Sequence, residues 1–241
     1  VIIYPAIDLR GGRVVRLKEG DPNRQTVFSD DPLATARRWI DDGATWLHMV
    51  NLDGAFADQN ANGLILEQVA KLGVPVQFGG GLRQLADMQR AIDQGAARIV
   101  LGTVAVQQPQ VVIEAVGRWG AERVCVGLDA RDGKVTTHGW QTVADVTPAE
   151  LGKLMAAQGV RHALYTDVSR DGALTGVNVE STAELARQTD LQVIASGGVG
   201  SIEDIRRLVA TGVVAGAIIG MALYEGRVQL REALAIAAGA A

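Results

Sequence analysis

The chain has 241 residues, 48% of them hydrophobic and 21% charged, with a formal net charge of −4. That make-up is ordinary for a globular protein, with enough apolar material for one large α/β domain or two small ones. It argues against a general nucleic-acid or membrane-surface binder, and with Cys125 as the single cysteine it excludes an internal disulfide.

A reducing cytoplasm is the expected setting for such cysteine usage. No apolar run approaches the ~18 residues of a membrane span. The opening VIIYPAIDL lacks a basic leader and reads as a first strand rather than a signal peptide. Cys125, inside RVCVGLD, is expected in the core. His48, His138 and His162 have no ligand-spaced Cys or His nearby, so no metal site is signalled.

In chain order the predicted strands are 1–8 (VIIYPAID), 45–51 (TWLHMVN), 74–78 (VPVQF), 97–101 (ARIVL), 123–129 (RVCVGLD), 162–167 (HALYTD), 191–196 (LQVIAS) and 214–220 (VAGAIIG). They are continuous apolar runs, the pattern of parallel strands covered on both faces. Amphipathic stretches such as PLATARRWIDDG, NGLILEQVAKLG, QLADMQRAIDQG, TPAELGKLMAAQG and SIEDIRRLVATG lie between them and close on Gly43, Gly73, Gly95, Gly159 and Gly212. About eight βα units in this length predict a closed (β/α)8 barrel forming a single domain over 1–241; an open doubly wound sheet is the alternative. Trp39, Trp46 and Trp119 fall on these elements and read as packing residues.

The chain also repeats itself. YPAIDLRGGRVV is echoed by VGLDARDGKVTT, with Asp8 and Asp129 121 positions apart (129 less 8). Gly80 and Gly197 stand 117 apart, and Gly102 and Gly220 118 apart. Three landmarks at nearly one offset predict two half-barrels, approximately 1–121 and 122–241.

In each half a strand runs into paired glycines (Gly80 and Gly81; Gly197 and Gly198), and the next strand ends on another (Gly102 before Thr103; Gly220). Such turns admit a phosphate close to the backbone, although tight βα turns need Gly without any ligand. Two sites suggest a substrate with a phosphate at each end. Asp8 and Asp129 end strands one and five, facing each other across the mouth, where two carboxylates can serve as base and acid or merely cap turns. Thr166 ends strand six, with Asp171-Gly172 in a turn beyond it. Arg16, Lys18 and Arg24 fall in a long first loop, available to an anionic substrate or simply solvated. Trp140 of THGW falls in a second long loop, able to stack on a flat ring or to anchor its own loop.

Taken together, PAIDLRGGRVVRL, VNLDGA, GGGLR, GLDARDGKVTTHGW, TDVSRDGALTGVN, ASGGV and GMALYEG resemble the histidine-biosynthesis half-barrel family over essentially the whole chain. The resemblance implies a cofactor-free and metal-free Amadori rearrangement of a bisphosphorylated aminoimidazole carboxamide ribotide, a small-molecule substrate. It implies Asp8 as the base, Asp129 as the acid and Thr166 as a sugar contact. The phosphates would lie on Gly80, Gly81, Gly102 and Thr103, and on Gly176, Gly197, Gly198 and Gly220. A monomer is expected, with no nucleic-acid or membrane partner. Three positions depart from the family pattern: Asn51 where an Asp is usual, Met221 where a Lys or Arg is common, and His138 where a dual-substrate relative tends to carry Arg. The alternatives are an enzyme that also isomerises phosphoribosylanthranilate, and a non-catalytic phosphate-binding barrel.

Overall fold

The computed structural model describes residues 1–18, 21–56 and 62–239. Among them the chain forms β1 (Ile2–Arg10), β2 (Arg13–Lys18), β3 (Asp21–Ser29), α1 (Pro32–Asp41), β4 (Leu47–Asn51), α2 (Leu52–Ala55), α3 (Gly63–Ala70), β5 (Val76–Gly79), α4 (Leu85–Asp93), β6 (Ala96–Leu101), α5 (Thr103–Gln107) and α6 (Pro109–Trp119). There follow β7 (Val124–Gly127), β8 (Ala130–Arg131), β9 (Lys134–Thr137), β10 (Thr142–Val143), α7 (Pro148–Ala157), β11 (His162–Thr166), α8 (Val179–Thr189), β12 (Gln192–Ser196), α9 (Ile202–Ala210), β13 (Gly216–Ile219), α10 (Met221–Tyr224) and α11 (Leu230–Ala237).

Eight of the strands, β1, β4, β5, β6, β7, β11, β12 and β13, lie parallel in that order, and β13 closes the ring on β1 with Ile2 opposite Gly216 and Pro5 opposite Ile219. The fold is a closed (β/α)8 barrel. Each of the eight predicted strands overlaps one of these eight.

Period-two alternation divides the apolar side chains between two layers. On β1, Ile3, Ile7 and Leu9 pack outward into the core shared with the helices, whereas Tyr4 and Ala6 join Cys125, Leu164, Ile194 and Ile218 in a second, interior cluster. Cys125 is thus a lumen residue, fully buried. Trp39 is buried between barrel and helices, while Trp46 and Trp119 pack partly buried against the interior and outer clusters. Some of the helices start at side-chain caps: Thr147 Oγ1 accepts from the Glu150 N–H while Glu150 Oε2 accepts from the Thr147 N–H, and Ser201 and Asp204 repeat the arrangement.

The two long loops expected after strands one and five are instead β-ribbons. β1 runs past Asp8 to Arg10, turns at Gly11–Gly12 and pairs antiparallel with β2, which pairs with β3. β8 turns at Asp132–Gly133 into β9, which pairs with β10. Both two-residue turns have positive φ at both positions, 56° and 77° in the first and 50° and 77° in the second. That is the turn whose twist matches paired antiparallel strands. The repeated phrases therefore each write a strand, an aspartate and a hairpin over the mouth.

Candidate active site

The first ribbon places Val15 opposite Asp8 and so delivers the next residue, Arg16, to the mouth. Arg16 Nη1 donates to Asp8 Oδ2 at 2.5 Å, and Nη2 lies 3.6 Å from Asp171 Oδ1. One guanidinium thus serves two carboxylates, all three side chains being nearly buried. Burial pushes the Asp8 carboxyl up to about 6, with the Arg16 charge pulling it down and the Asp171 charge adding to the rise. Asp171 is raised by the same burial, opposed by Arg16. Asp171, read as part of a turn, is a buried member of this cluster.

Asp129 has different company. The Trp140 indole Nε1–H donates to its Oδ2 at 3.0 Å, and its Oδ1 is buried with no hydrogen-bond partner of ordinary geometry. Burial raises its pKa; neighbouring Thr166 and Trp140 favour the charged form, and the Asp171 charge opposes it. Trp140 reaches Asp129 because His138, Gly139 and Trp140 take three consecutive left-handed conformations, φ 56°, 63° and 68°. The His138 N–H donates to Thr103 Oγ1 at 2.9 Å, and a Cβ on Gly139 would lie 2.8 Å from the Phe56 ring. The second ribbon is therefore drawn across the mouth onto the opposite half.

A cavity of about 210 Å³ opens between these groups and is lined by Asp8, Arg16, Gly80, Gly81, Gly102, Thr103, Asp129, Trp140, Thr166 and Asp171. A smaller one of about 20 Å³ is lined by Gly197, Gly198, Gly220 and Met221 and shares Arg16 and Asp171 with the first. Gly176 lines neither; its N–H donates to the Gly198 carbonyl and its own carbonyl accepts from Arg170 Nη1. Arg24 is exposed on β3, and the Lys18 side chain lies outside the described residues.

The glycines divide by what surrounds them. At Gly80, with φ +98°, a Cβ would sit 2.2 Å from the Asn51 carbonyl oxygen, so close backbone packing alone requires Gly there. At Gly102 a Cβ would meet nothing within 4 Å. Side-chain clashes therefore do not require Gly at this position on the cavity wall. At Gly220 the atom a Cβ would strike is Arg16 Cζ, 2.6 Å away, so the Arg16 guanidinium supplies positive charge beside Met221, where a basic residue was expected.

Asn51 does not line either cavity. Its Oδ1 accepts from the Gly54 N–H at 3.1 Å and from Asn62 Nδ2 at 2.8 Å, capping α2. An amide oxygen fills that role as a carboxylate would. Polar side chains on the larger cavity that sequence alone does not single out include Arg83, His48, Thr136, Thr137 and Ser196. Arg83 follows the triple glycine and donates to the Gly54 carbonyl at 2.9 Å. His48 is a polar interruption in an apolar strand run, the one signal that pointed to it. Among the described residues no three His, Cys, Asp or Glu side chains come together as metal ligands, and no helix is long and apolar enough to cross a membrane.

Residues 2–229 match the family described as histidine biosynthesis protein. Among known proteins, the chain is 48% identical to the 1-(5-phosphoribosyl)-5-((5-phosphoribosylamino)methylideneamino) imidazole-4-carboxamide isomerase of Roseobacter denitrificans, over 97% of this chain and 98% of the relative. It is equally similar, 48%, to the isomerase of the same name from Moorella thermoacetica, over 99% of each chain. The Hahella chejuensis isomerase is also 48% identical, over 97% of each.

Proposed function

Since the chain belongs to the histidine biosynthesis protein family, we propose that it catalyses the aldose-to-ketose (Amadori) rearrangement of the bisphosphorylated aminoimidazole carboxamide ribotide for which its relatives are named. The observation that carries this reading is the pair of largely buried carboxylates, Asp8 and Asp129, on one cavity with unlike partners.

The unlike partners assign unlike tasks. Asp8, titrating at about 6 beside the Arg16 cation, is mostly ionised at neutral pH and serves as base. Asp129 has neutral donors around it rather than a cation, and burial raises its pKa, so it is the one assigned as acid. Asp129 gives its proton to the ring oxygen as the bond from that oxygen to C1′ breaks and the nitrogen lone pair forms the Schiff base. Asp8 then takes the C2′ proton, whose bonding electrons make the C1′–C2′ double bond of the enolamine. Reprotonation at C1′ and loss of the C2′ hydroxyl proton leave the ketose, with both carboxyls restored by proton return. No electrons leave or enter.

Thr166 holds the sugar. One phosphate lies on Gly80, Gly81, Gly102 and Thr103 with Arg83 nearby; the other lies on Gly197, Gly198 and Gly220, beside Arg16, with Gly176 bracing that turn. Trp140 stacks on the imidazole. The barrel is read as one domain of two repeated halves acting as a monomer in the cytoplasm. Turnover of the bisphosphate substrate by purified protein, assayed beside phosphoribosylanthranilate, tests the reading; no turnover of either overturns it.

A further inference from the structure

Below the carboxylates, four of five consecutive barrel strands each turn one polar side chain into the lumen. These are His48 on β4, Gln77 on β5, Arg98 on β6, and His162 on β11 beyond β7; all four are buried. Arg98 is fixed from several sides. Its Nε donates to the Glu122 carbonyl at 3.0 Å, Nη1 donates to Tyr4 Oη at 3.2 Å and to Gln77 Oε1 at 3.3 Å, and its Cζ lies 4.7 Å from the centre of the Trp46 ring. Nη2 lies 3.3 Å from His162 Nε2, which itself lies 2.9 Å from Glu122 Oε2.

The consequence passes through Gln77, which is wholly buried. A guanidinium carries donors and no acceptor, so the end of the Gln77 amide facing Arg98 is its carbonyl oxygen. The other end is then the NH2 group, and it lies 3.1 Å from His48 Nδ1. Nδ1 must accept there. A neutral imidazole carries one proton, which is left on Nε2. Among the described residues Gln77 is the one hydrogen-bond partner found for the His48 ring. His48 lines the same cavity as Asp8, and its backbone stands opposite Ala6, two residues before Asp8 on the neighbouring strand.

We propose that Arg98 and Gln77 are positioning residues that lock His48 as an Nε2–H donor to a hydroxyl oxygen of the opened sugar, next to the carbon that Asp8 deprotonates. The inference rests on the isomerase reading for its substrate, and on the lumen geometry alone for the tautomer. Burial and the nearby Arg16 charge hold the His48 imidazole down to about 3, so the donor carries no charge through the neutral range. An uncharged donor orients the sugar without weakening Asp8 as a base, as a second cation there would.

The protein has three histidines, so 15N-histidine NMR of the whole chain resolves each ring, with assignment by single substitution. The expected wild-type spectrum shows His48 protonated on Nε2. Gln77→Glu keeps the shape but places an acceptor-only carboxylate between Arg98 and His48. The ring proton should move to Nδ1, and kcat should fall about a hundredfold with a smaller change in KM, as when one preorganised donor is lost. Gln77→Met, should the first variant not fold, imposes no tautomer; both forms should appear with a smaller loss of kcat. A wild-type His48 protonated on Nδ1 overturns the proposal, as does a flipped tautomer that leaves kcat within twofold of wild type. Failure of the wild-type protein to turn over substrate would sink the isomerase reading instead, and the spectrum would still decide the tautomer.

Discussion

Asp8 and Asp171 are held on one guanidinium: Arg16 reaches Asp8 Oδ2 at 2.5 Å through Nη1 and Asp171 Oδ1 at 3.6 Å through Nη2. The nearly buried cation keeps two close carboxylates compatible, and its charge keeps Asp8 ionised at neutral pH despite burial.

Replacing either carboxylate proposed to react should remove chemistry and spare the fold. Asp8→Asn and Asp129→Asn are each expected to lower kcat by about 10²–10⁴-fold, the usual worth of a positioned acid or base. Far-ultraviolet circular dichroism should be unchanged. A variant retaining more than a tenth of wild-type turnover would remove that residue from the mechanism.

The rate should depend on pH in a stated direction. A base works when ionised, so kcat/KM should fall as pH drops through about 6, where Asp8 titrates. Stability moves the other way. The folded protein binds the Asp8 proton more tightly than the unfolded chain does. The stabilisation this brings is full below the ordinary carboxylate value of about 4 and is lost as pH rises through about 6. Thermal melts of wild type and Asp8→Asn between pH 4 and 7 check this: wild type should lose stability relative to the variant as pH rises.

Trp140→Phe keeps a ring and deletes the indole donor at Asp129 Oδ2. The charged form of Asp129 loses a partner, so its pKa should rise. An acid works when protonated, and the alkaline limb of the rate profile should move to higher pH. An unmoved limb would show that this hydrogen bond does not tune Asp129.

Two glycines should separate fold from site. Gly80→Ala brings a Cβ within 2.2 Å of a backbone oxygen at φ +98° and should destabilise the protein by about 2 kcal/mol or more. Gly102→Ala meets nothing within 4 Å, so it should melt like wild type while raising KM by narrowing the cavity. Denaturant titration and steady-state kinetics on both decide it.

Asn51→Asp preserves both acceptor contacts, to the Gly54 N–H and to Asn62. Activity within about twofold of wild type is expected from a side chain that stands off the cavity. A larger change would give the lost carboxylate a role at Asp8.

What the sequence made legible follows from periodicity. Strands covered on both faces are continuous apolar runs, and all eight were readable for that reason. The ribbons after Asp8 and Asp129 were not, because RVVRLK and KVTT look like loop sequence once a barrel is assumed, although Gly11–Gly12 and Asp132–Gly133 are hairpin turns by composition. Missing the first ribbon hid the reach of Arg16 to Asp171, two residues far apart in the chain. His48, Gln77 and Arg98 were hidden differently. Each looks like a stray polar residue in its own strand, and only the strand register, with His48 opposite Gln77 and Gln77 opposite Arg98, makes them neighbours.

Cys125, the single thiol, lies fully buried inside the ring of strands, its pKa pushed up to about 12 by that burial. A thiol reagent can reach it only when the packing of this interior cluster opens. The protein thus carries a built-in clock for barrel opening: the labelling rate at Cys125 measures how often the lumen is breached, with or without substrate sealing the mouth above it.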